Sequence, residues 1–264
     1  TLSDGVKTYV SLMHGNNDIA NLLPLEEVAS ICAEHGAVFH SDTVQTMGHY
    51  RFNLKETRIH FINAAAHKFH GSKGVGFIFI RKNMPAFADI TGGGQERGMR
   101  SGTLVTHQCV GMGEAFRIAK LEMAQDIAQA RHLQQRLLNG LKDIEQIFVN
   151  GHLTQRVPHN LNMSFNFVEG ESLIMGIKGL AVSSGSACTS ASLEPSYVLR
   201  ALGRSDELAH SSLRMTVGRF STEDEIDYAI ETIKLNVAKL RDLSPLWDMY
   251  KEGIDISTIQ WAAH

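Results

Sequence analysis

The first 42 residues of the chain alternate between apolar, β-branched segments and one helical segment. Residues 6–14 (VKTYVSLMH) and 37–42 (AVFHSD) have the composition of buried strands. Between them, residues 24–36 place apolar side chains at helical spacing, with a proline at the start and a glycine at the end. Two further strands are predicted in residues 60–69 and 74–82. This order predicts a largely parallel α/β sheet, and in such sheets ligands bind beyond the carboxyl ends of the strands.

The second half of the chain has a different pattern of predicted secondary structure. Residues 107–144 are helical almost throughout, which predicts a long helix linking two domains. After residue 147 the pattern predicts shorter units: strands near 160–167 and 180–184, and helices near 194–202 and 222–240. We therefore expect a large domain over residues 1–122 and a smaller α+β domain over residues 123–264, with a tail that carries both tryptophans and is suited to docking.

Composition excludes several classes of protein. The formal net charge of −3 gives no basic excess, so direct nucleic-acid binding is not expected. No apolar run reaches the ~18–20 residues that span a bilayer, so no membrane association is expected. The three cysteines, Cys32, Cys109 and Cys188, form no C-x-x-C pair, which argues against a disulfide framework or a metal site. A reducing compartment follows: the cytoplasm, or the mitochondrial matrix in a eukaryote.

Three polar residues stand where strands give way to loops: Asp42, Gln45 and Lys68. Pyridoxal phosphate requires a lysine amine for its Schiff base, a carboxylate beside its ring nitrogen and a polar group near its ring hydroxyl. Because Lys68 follows an apolar strand, we expect its amine to be partly desolvated and more readily neutral. Taken singly, such a lysine is more often a solvated loop residue and such an aspartate a cap, so these residues alone leave both readings open.

Longer motifs in the chain favour the cofactor-site interpretation, because they resemble a known family. The chain resembles the cysteine desulfurases of the NifS/IscS type, which are class-V aminotransferases and fold-type-I pyridoxal-phosphate enzymes. The similarity is carried by HKFHGSKGVG, GGGQERGMRSGT, SSGSACTSAS and ELAHSSLRMTVGRF. It implies an α/β fold with a mainly parallel sheet in the large domain and a smaller α+β carboxyl-terminal domain. It extends from about residue 10 to the end of the tail.

The resemblance implies a role for each matching residue. Lys68 matches the Schiff-base lysine and His67 its neighbour, Asp42 the pyridinium partner and Gln45 the contact to the ring hydroxyl. Thr103 matches a threonine that reaches the cofactor phosphate of a partner subunit, which implies a homodimer. For the substrate carboxylate, Asn17 and Arg214 match the binding asparagine and arginine, and a guanidinium can hold a carboxylate bidentately.

Cys188, within SSGSACTSAS, matches the residue that accepts sulfur in this family. The resemblance implies that L-cysteine is converted to L-alanine and that a persulfide forms on Cys188. That sulfur would pass to an iron–sulfur scaffold protein and to other acceptors, including those of tRNA thiolation, through the Cys188 loop and the tail. Small residues around the thiol suit a loop that must approach the cofactor and then an acceptor.

The match is incomplete at its amino end. Family members are longer, and roughly the first third of their usual length, which is absent here, carries a phosphate-binding turn. Residue 1 is then not the biological start, or a second chain supplies the rest, or the chain is an inactive remnant; of these we expect the first. Within the chain, Ala65 replaces a serine that contacts the phosphate, and NNDIA (16–20) replaces the usual NNEIG. Competing functions are a selenocysteine lyase or aminotransferase on the same fold, and a catalytically inactive assembly partner.

Overall fold

The computed structural model describes residues 7–184 and 195–254. Two compact units divide the chain: Thr1–Asn16 with Leu22–Ile127, and Asn17–Asn21 with Ala128–His264. The short segment Asn17–Asn21 thus belongs to the second unit although its flanking residues belong to the first. Within the described residues, no helix is both long enough and apolar enough to cross a membrane.

The first unit is built on a four-stranded sheet in the order β1-β2-β3-β4. Its strands are β1 (Tyr9–Met13), β2 (Val38–Asp42), β3 (Phe61–Ala65) and β4 (Gly76–Ile80), and helix α1 (Leu25–Glu34) connects β1 to β2. The pairs β1–β2 and β2–β3 are parallel, as predicted. Pro24 precedes α1, and Gly36 follows it at φ +63°, so the helix begins and ends where the sequence predicted.

The fourth strand departs from the predicted parallel arrangement. β4 runs antiparallel to β3, with Asn63 opposite Ile78 and Ala65 opposite Gly76. Residues 66–75 connect the two strands and contain only the 3₁₀ turn Ala66–Phe69. A parallel crossover needs a dozen or more residues, usually with a helix, so this connection can only turn the chain back.

The two faces of this sheet differ in burial. Phe39, Ile62 and Ala64 belong to the hydrophobic core, which also includes Leu25, Ala29 and Cys32 of α1. The opposite face is formed by the alternate residues of the strands; we call it the open face, and its members include Tyr9, Ser11, Met13, His40, Asp42, Asn63 and Ile78. Tyr9 and Ile78 there are 60% and 59% exposed.

The second unit is built on a three-stranded antiparallel sheet in the order β5-β6-β7. It consists of β5 (Ile147–Val149), β6 (Asn160–Phe165) and β7 (Ser212–Thr216), with helices α3 (Gly170–Gly176), α4 (Tyr197–Ala201), α5 (Asp206–His210), α6 (Glu223–Arg241) and α7 (Pro245–Lys251). The strand predicted over 160–167 and the helices predicted near 194–202 and 222–240 are confirmed by β6, α4 and α6. The strand predicted over 180–184 is wrong, because only Ser183 forms an isolated bridge, to Arg214.

Two long helices supply much of the second unit's core. Helix α2 (Thr106–Leu141) begins in the first unit and ends in the second, as predicted for a linking helix. Its end contributes Leu133, Leu137 and Leu141 to the core formed with β6 and α6. A capping box at Thr222 and Glu225 fixes the start of α6.

Candidate active site

The carboxyl ends of the parallel strands bring predicted site residues of the first unit to one edge of the sheet. Asp42 is the last residue of β2 and lies in register with Met13 of β1 and Asn63 of β3. Lys68 lies in the 3₁₀ turn that directly follows β3. The expectation that Asp42 and Lys68 follow neighbouring strands at the same edge is therefore confirmed.

Asp42 is half-buried and its carboxylate is held at one oxygen. Oδ1 accepts the backbone N–H of Val44 at 2.9 Å and the side-chain N–H of Asn63 at 3.3 Å. Both of these hydrogen bonds, which come from described residues, end on Oδ1 and neither involves Oδ2. Oδ2 is thus the oxygen that a cationic ligand would meet.

Gln45 lies in the turn that follows β2. The turn is closed by hydrogen bonds from the backbone N–H groups of Thr46 and Met47 to the carbonyl oxygen of Thr43. The Gln45 side chain is half-buried. The backbone of Gln45 therefore lies at the same strand end as Asp42, three residues after it.

Lys68 and His67 are both exposed, which contradicts the expected desolvation of the lysine amine. The other two residues of the 3₁₀ turn, Ala66 and Phe69, are buried, so the turn packs its apolar side chains inward and leaves the two polar ones in solvent. Phe69 packs close to Gly48, where an added Cβ would lie 2.7 Å from the Cβ of Phe69. This contact, and a hydrogen bond from His49 Nε2 to the Lys68 carbonyl at 3.2 Å, fix the backbone that carries the amine.

Thr103 lies outside this cluster. It is exposed and stands in the loop between a 3₁₀ turn, Gln95–Gly98, and α2. Ser101 anchors that loop through Oγ, which donates to the Gly93 carbonyl at 2.6 Å. Among the residues that the structure describes, no hydrogen bond connects Thr103 to the strand ends, so the structure does not bring it to Asp42 and Lys68.

In the second unit, the structure brings Arg214 and Asn17 together. Arg214 lies on β7, and its Nη1 donates to the Asn17 carbonyl oxygen at 2.9 Å. Asn160 of β6 donates to the same oxygen at 3.2 Å. The two residues predicted to hold a substrate carboxylate are therefore neighbours, and the segment that bears Asn17 is fixed to the sheet.

A buried carboxylate that sequence reasoning missed supports this segment. Asp18 is 3% exposed and accepts Asn162 Nδ2 at 2.7 Å through Oδ1 and Ser196 Oγ at 2.6 Å through Oδ2. Asn162 is in turn bonded to Asn150 at 2.8 Å. Nothing in the periodicity of the sequence signals this network; the only hint is an acidic residue beside Asn17.

Cys188 lies outside the described residues, between 184 and 195. The chain on either side is anchored in the second unit. Before it, Ser183 pairs with Arg214 through two backbone hydrogen bonds. After it, Ser196 caps α4 and donates to Asp18. The network that holds Asn17 therefore also holds the chain next to the predicted sulfur acceptor.

Two further groups of the first unit are perturbed by burial. His14 is buried, and desolvation lowers the pKa of its imidazole to about 4. Its Nδ1 lies 2.9 Å from Thr46 Oγ1, next to the strand-end turn. Burial also raises the pKa of the Cys32 thiol, which packs in the core of the first unit.

Ala20 occupies a conformation that favours glycine. Its φ is +70° and its side chain is fully buried. The left-handed region costs an L-residue about 1 kcal/mol, so we expect Ala20→Gly to raise the free energy of unfolding by roughly 0.5–1 kcal/mol. Urea titration followed by tryptophan fluorescence measures this, since both tryptophans lie in the second unit's sequence.

The matched control for that change is Ala209→Gly. Ala209 is also buried, but it lies in α5 and gains nothing from glycine's freedom. It is expected to lose about 1 kcal/mol or more. A loss of the same size in Ala20→Gly would show that the buried methyl group outweighs the backbone strain.

The chain as a whole is similar to a known family of proteins and to several of its members. The sequence model described as Aminotransferase class-V matches residues 2–229. The chain belongs to the class-V aminotransferase family. It is 58% identical over 257 residues to the cysteine desulfurase IscS of Vibrio vulnificus strain YJ016, covering 97% of this chain and 64% of that protein. The corresponding protein of Methylococcus capsulatus is 58% identical over 255 residues, covering 96% of this chain and 63% of the relative.

Solved structures show the same relationship. A NifS-like protein superposes with a TM-score of 0.82 at 32% identity, covering 90% of this chain and 63% of that one. A NifS-like protein from Rickettsia africae superposes with a TM-score of 0.80 at 26% identity, with 87% and 62% covered. The chain thus spans slightly less than two thirds of the length of these relatives.

Class-V aminotransferases use pyridoxal phosphate, and the donor set at the strand ends suits that cofactor. A primary amine at Lys68 is accessible to an aldehyde, and the Asp42 carboxylate has its second oxygen directed away from its own hydrogen bonds. The Gln45 amide provides a neutral donor at the same strand end. The residues present therefore fit the ring of the cofactor.

Proposed function

We propose that this chain forms part of a pyridoxal-phosphate-dependent cysteine desulfurase, which converts L-cysteine to L-alanine and leaves the sulfur on Cys188. The observation that carries the proposal is the strand edge at which Asp42 ends β2 and Lys68 follows β3. The 58% identity to proteins named cysteine desulfurase IscS supports this reaction among those of the family.

The residues of the first unit would hold the cofactor. Lys68 would attach it through its amine, Asp42 would keep the ring nitrogen protonated, and Gln45 and His67 would contact the ring. Thr103 would reach the phosphate held by a second copy of the chain in a homodimer. When bound, pyridoxal phosphate supplies an electron sink that stabilises negative charge at the substrate Cα. Lys68 would remove and return the proton at that atom.

The residues of the second unit would hold the substrate and accept its sulfur. Arg214 and Asn17 would bind the carboxylate of L-cysteine and so fix the orientation of its Cα bonds. The Cys188 thiolate would attack the substrate sulfur: the Cβ–S bond breaks, an S–S bond forms, and the carbon skeleton leaves as alanine after protonation. L-Cysteine and the thiol thus give L-alanine and a persulfide, with no external oxidant.

The persulfide would serve iron–sulfur cluster assembly. Its acceptors would be an iron–sulfur scaffold protein and other sulfur carriers, including those that feed tRNA thiolation, recognised through the Cys188 loop and the carboxyl-terminal tail. Such a protein would act in the cytoplasm, or in the mitochondrial matrix of a eukaryote, without direct contact to nucleic acid or membrane.

Absorbance spectroscopy tests the cofactor role. Protein incubated with pyridoxal phosphate and desalted is expected to keep a band near ~420 nm, and Lys68→Ala is expected to lose it. Lys73→Ala, an exposed lysine in the same loop, is the matched control and should keep the band. A colourless wild-type protein would instead support the catalytically inactive assembly partner.

Sulfur transfer tests the reaction. Cys188→Ala is expected to keep the cofactor band but to release no sulfide from L-cysteine in the presence of a reductant, whereas Cys109→Ala should remain active. Desulfuration that survives Cys188→Ala would overturn the role of that thiol. Activity on selenocysteine alone, or amino transfer to a keto acid, would identify one of the competing reactions.

A further inference from the structure

A chain of hydrogen bonds crosses the open face and ends on the Asp42 carboxylate. Ser11 of β1 is in register with His40 of β2, and Asn63 of β3 is in register with Asp42. Ser11 Oγ lies 2.7 Å from His40 Nδ1, and His40 Nε2 lies 2.9 Å from Asn63 Oδ1. Asn63 Nδ2 then donates to Asp42 Oδ1 at 3.3 Å.

The carboxylate end fixes the direction of two of the three bonds, and the protonation of the imidazole decides the third. A carboxylate only accepts hydrogen bonds, so the Asn63 amide must turn its N–H toward Asp42 and its oxygen toward His40. That amide oxygen also only accepts, so His40 must carry a proton on Nε2. With the proton on Nε2 alone, Nδ1 accepts from the Ser11 hydroxyl, and all three donors then point toward Asp42.

We propose that Asn63 and His40 are positioning residues for Asp42: they hold its carboxylate so that Oδ2 meets the ring nitrogen of the cofactor. The proposal rests on the role of Asp42 given above. Two donors on Oδ1, Asn63 Nδ2 and the Val44 N–H, restrain rotation of the carboxylate. His40 restrains Asn63, because an asparagine whose amide oxygen is engaged cannot flip without losing a bond at each end.

The residues around His40, Asn63 and Asp42 on the open face favour a connected hydrogen-bonded chain over separately hydrated polar side chains. Tyr9, Met13 and Ile78 share the open face, so the polar side chains run through an otherwise largely apolar surface. His40, Asn63 and Asp42 are each half-buried. Hydrogen bonds between such groups are worth more than those between fully hydrated side chains.

The ring tautomer of His40 tests the direction of the chain without cofactor. Nitrogen-15 NMR of histidine-labelled protein is expected to show the Nε2–H tautomer for His40, assigned by its loss in His40→Gln. In Asn63→Ala the ring loses its acceptor, and a mixture of tautomers is expected. An Nδ1–H tautomer in the wild-type chain would overturn the proposal, whether or not the protein binds pyridoxal phosphate.

Cofactor affinity tests the positioning role. Equilibrium dialysis is expected to show that Asn63→Ala weakens binding of pyridoxal phosphate about tenfold and that His40→Leu weakens it about fivefold. His40→Gln, which keeps a donor near the position of Nε2, should restore binding to within about twofold of wild type. Asn53→Ala, which removes an exposed asparagine of the same unit, is the control.

The outcomes separate this inference from the proposed function. Wild-type protein that binds the cofactor, with Asn63→Ala and His40→Leu binding equally well, would overturn the positioning role and leave the enzyme standing. A purely structural contribution of the chain to the sheet would lower the urea midpoint of both variants without the rescue by His40→Gln. Wild-type protein with the Nε2–H tautomer but no cofactor binding would count against the proposed function.

Discussion

Replacing Asp18 with alanine is expected to lower the free energy of unfolding of the second unit by about 2–4 kcal/mol. The carboxylate is buried and accepts Asn162 Nδ2 at 2.7 Å and Ser196 Oγ at 2.6 Å. Alanine would leave the buried Ser196 hydroxyl without this acceptor, and an orphaned donor costs about 1–3 kcal/mol. Asn162 Nδ2 would lose its shorter bond and keep only the backbone carbonyl of residue 18, at 3.2 Å. The change would also leave a cavity, because alanine cannot fill the space of the carboxylate.

Asp18→Asn separates hydrogen bonding from cavity formation. The amide has nearly the same shape as the carboxylate, and its oxygen can still accept from Asn162 Nδ2. Its N–H end would then face Ser196, whose hydroxyl must give up its role as donor and accept instead. We expect a loss of roughly 1–3 kcal/mol, smaller than for alanine because one hydrogen bond survives. Urea titrations followed by tryptophan fluorescence rank the two variants against wild type.

Asp206→Ala is the matched control for both changes. Asp206 also accepts two hydrogen bonds, from Arg200 Nε at 2.8 Å and Nη2 at 2.9 Å, but both side chains of this pair are largely exposed. Exposed pairs contribute about 0–1 kcal/mol, so this variant should remain near wild type. Equal losses for Asp18→Ala and Asp206→Ala would show that the buried network does not stabilise the unit.

The strand ends of the first unit could be predicted because their signals are local. Apolar strand segments bounded by polar residues define β2 and β3, and Asp42 follows directly from where β2 ends. The exposure of Lys68 could not be predicted in this way. It depends on the 3₁₀ turn, which buries Ala66 and Phe69 and leaves the intervening amine in solvent.

The network around Asp18 could not be predicted, because its members are distant in sequence. Asn162 lies on β6 and Ser196 at the start of α4, and a short segment inserted between residues of the first unit brings Asp18 to them. Burial of a carboxylate leaves no periodic pattern, since a single polar residue in a turn looks like a solvated one.

The strand wrongly predicted over 180–184 also depends on contacts that the local sequence does not show. Its apolar residues pack against the core of the second unit without strand pairing beyond Ser183.

The first unit is expected to lose stability as the pH falls from 7.5 to 5, by about 2 kcal/mol through His14. Burial lowers the pKa of His14 from 6.5 to about 4. Between these values the unfolded chain binds a proton that the folded chain does not, so acid favours unfolding. The contribution is fully present above pH 6.5 and is lost as the pH falls toward 4. His60, whose pKa is lowered by burial and by Arg81, acts in the same direction.

Comparison with His14→Asn isolates the contribution of His14. The asparagine amide can keep the contact to Thr46 Oγ1 but does not titrate, so the variant should lose about 2 kcal/mol less than wild type over this pH range. Its stability at pH 7.5 will be lower than that of wild type, because the ring contacts with Tyr50 and Phe52 are gone. His35→Gln removes an exposed imidazole and controls for the loss of one histidine.

Unfolding of the first unit can be followed through its buried cysteine. Cys32 is 2% exposed in the folded chain, so its thiol becomes accessible to a dithiodipyridine reagent only on unfolding. Cys109 and Cys188 are replaced in all variants so that the reagent reports on Cys32 alone. Urea titrations at pH 7.5 and 5.0 then give the stability difference for each variant. A pH dependence that is the same in His14→Asn as in wild type would mean that the folded chain accepts the proton on His14, and that this imidazole is hydrated rather than buried.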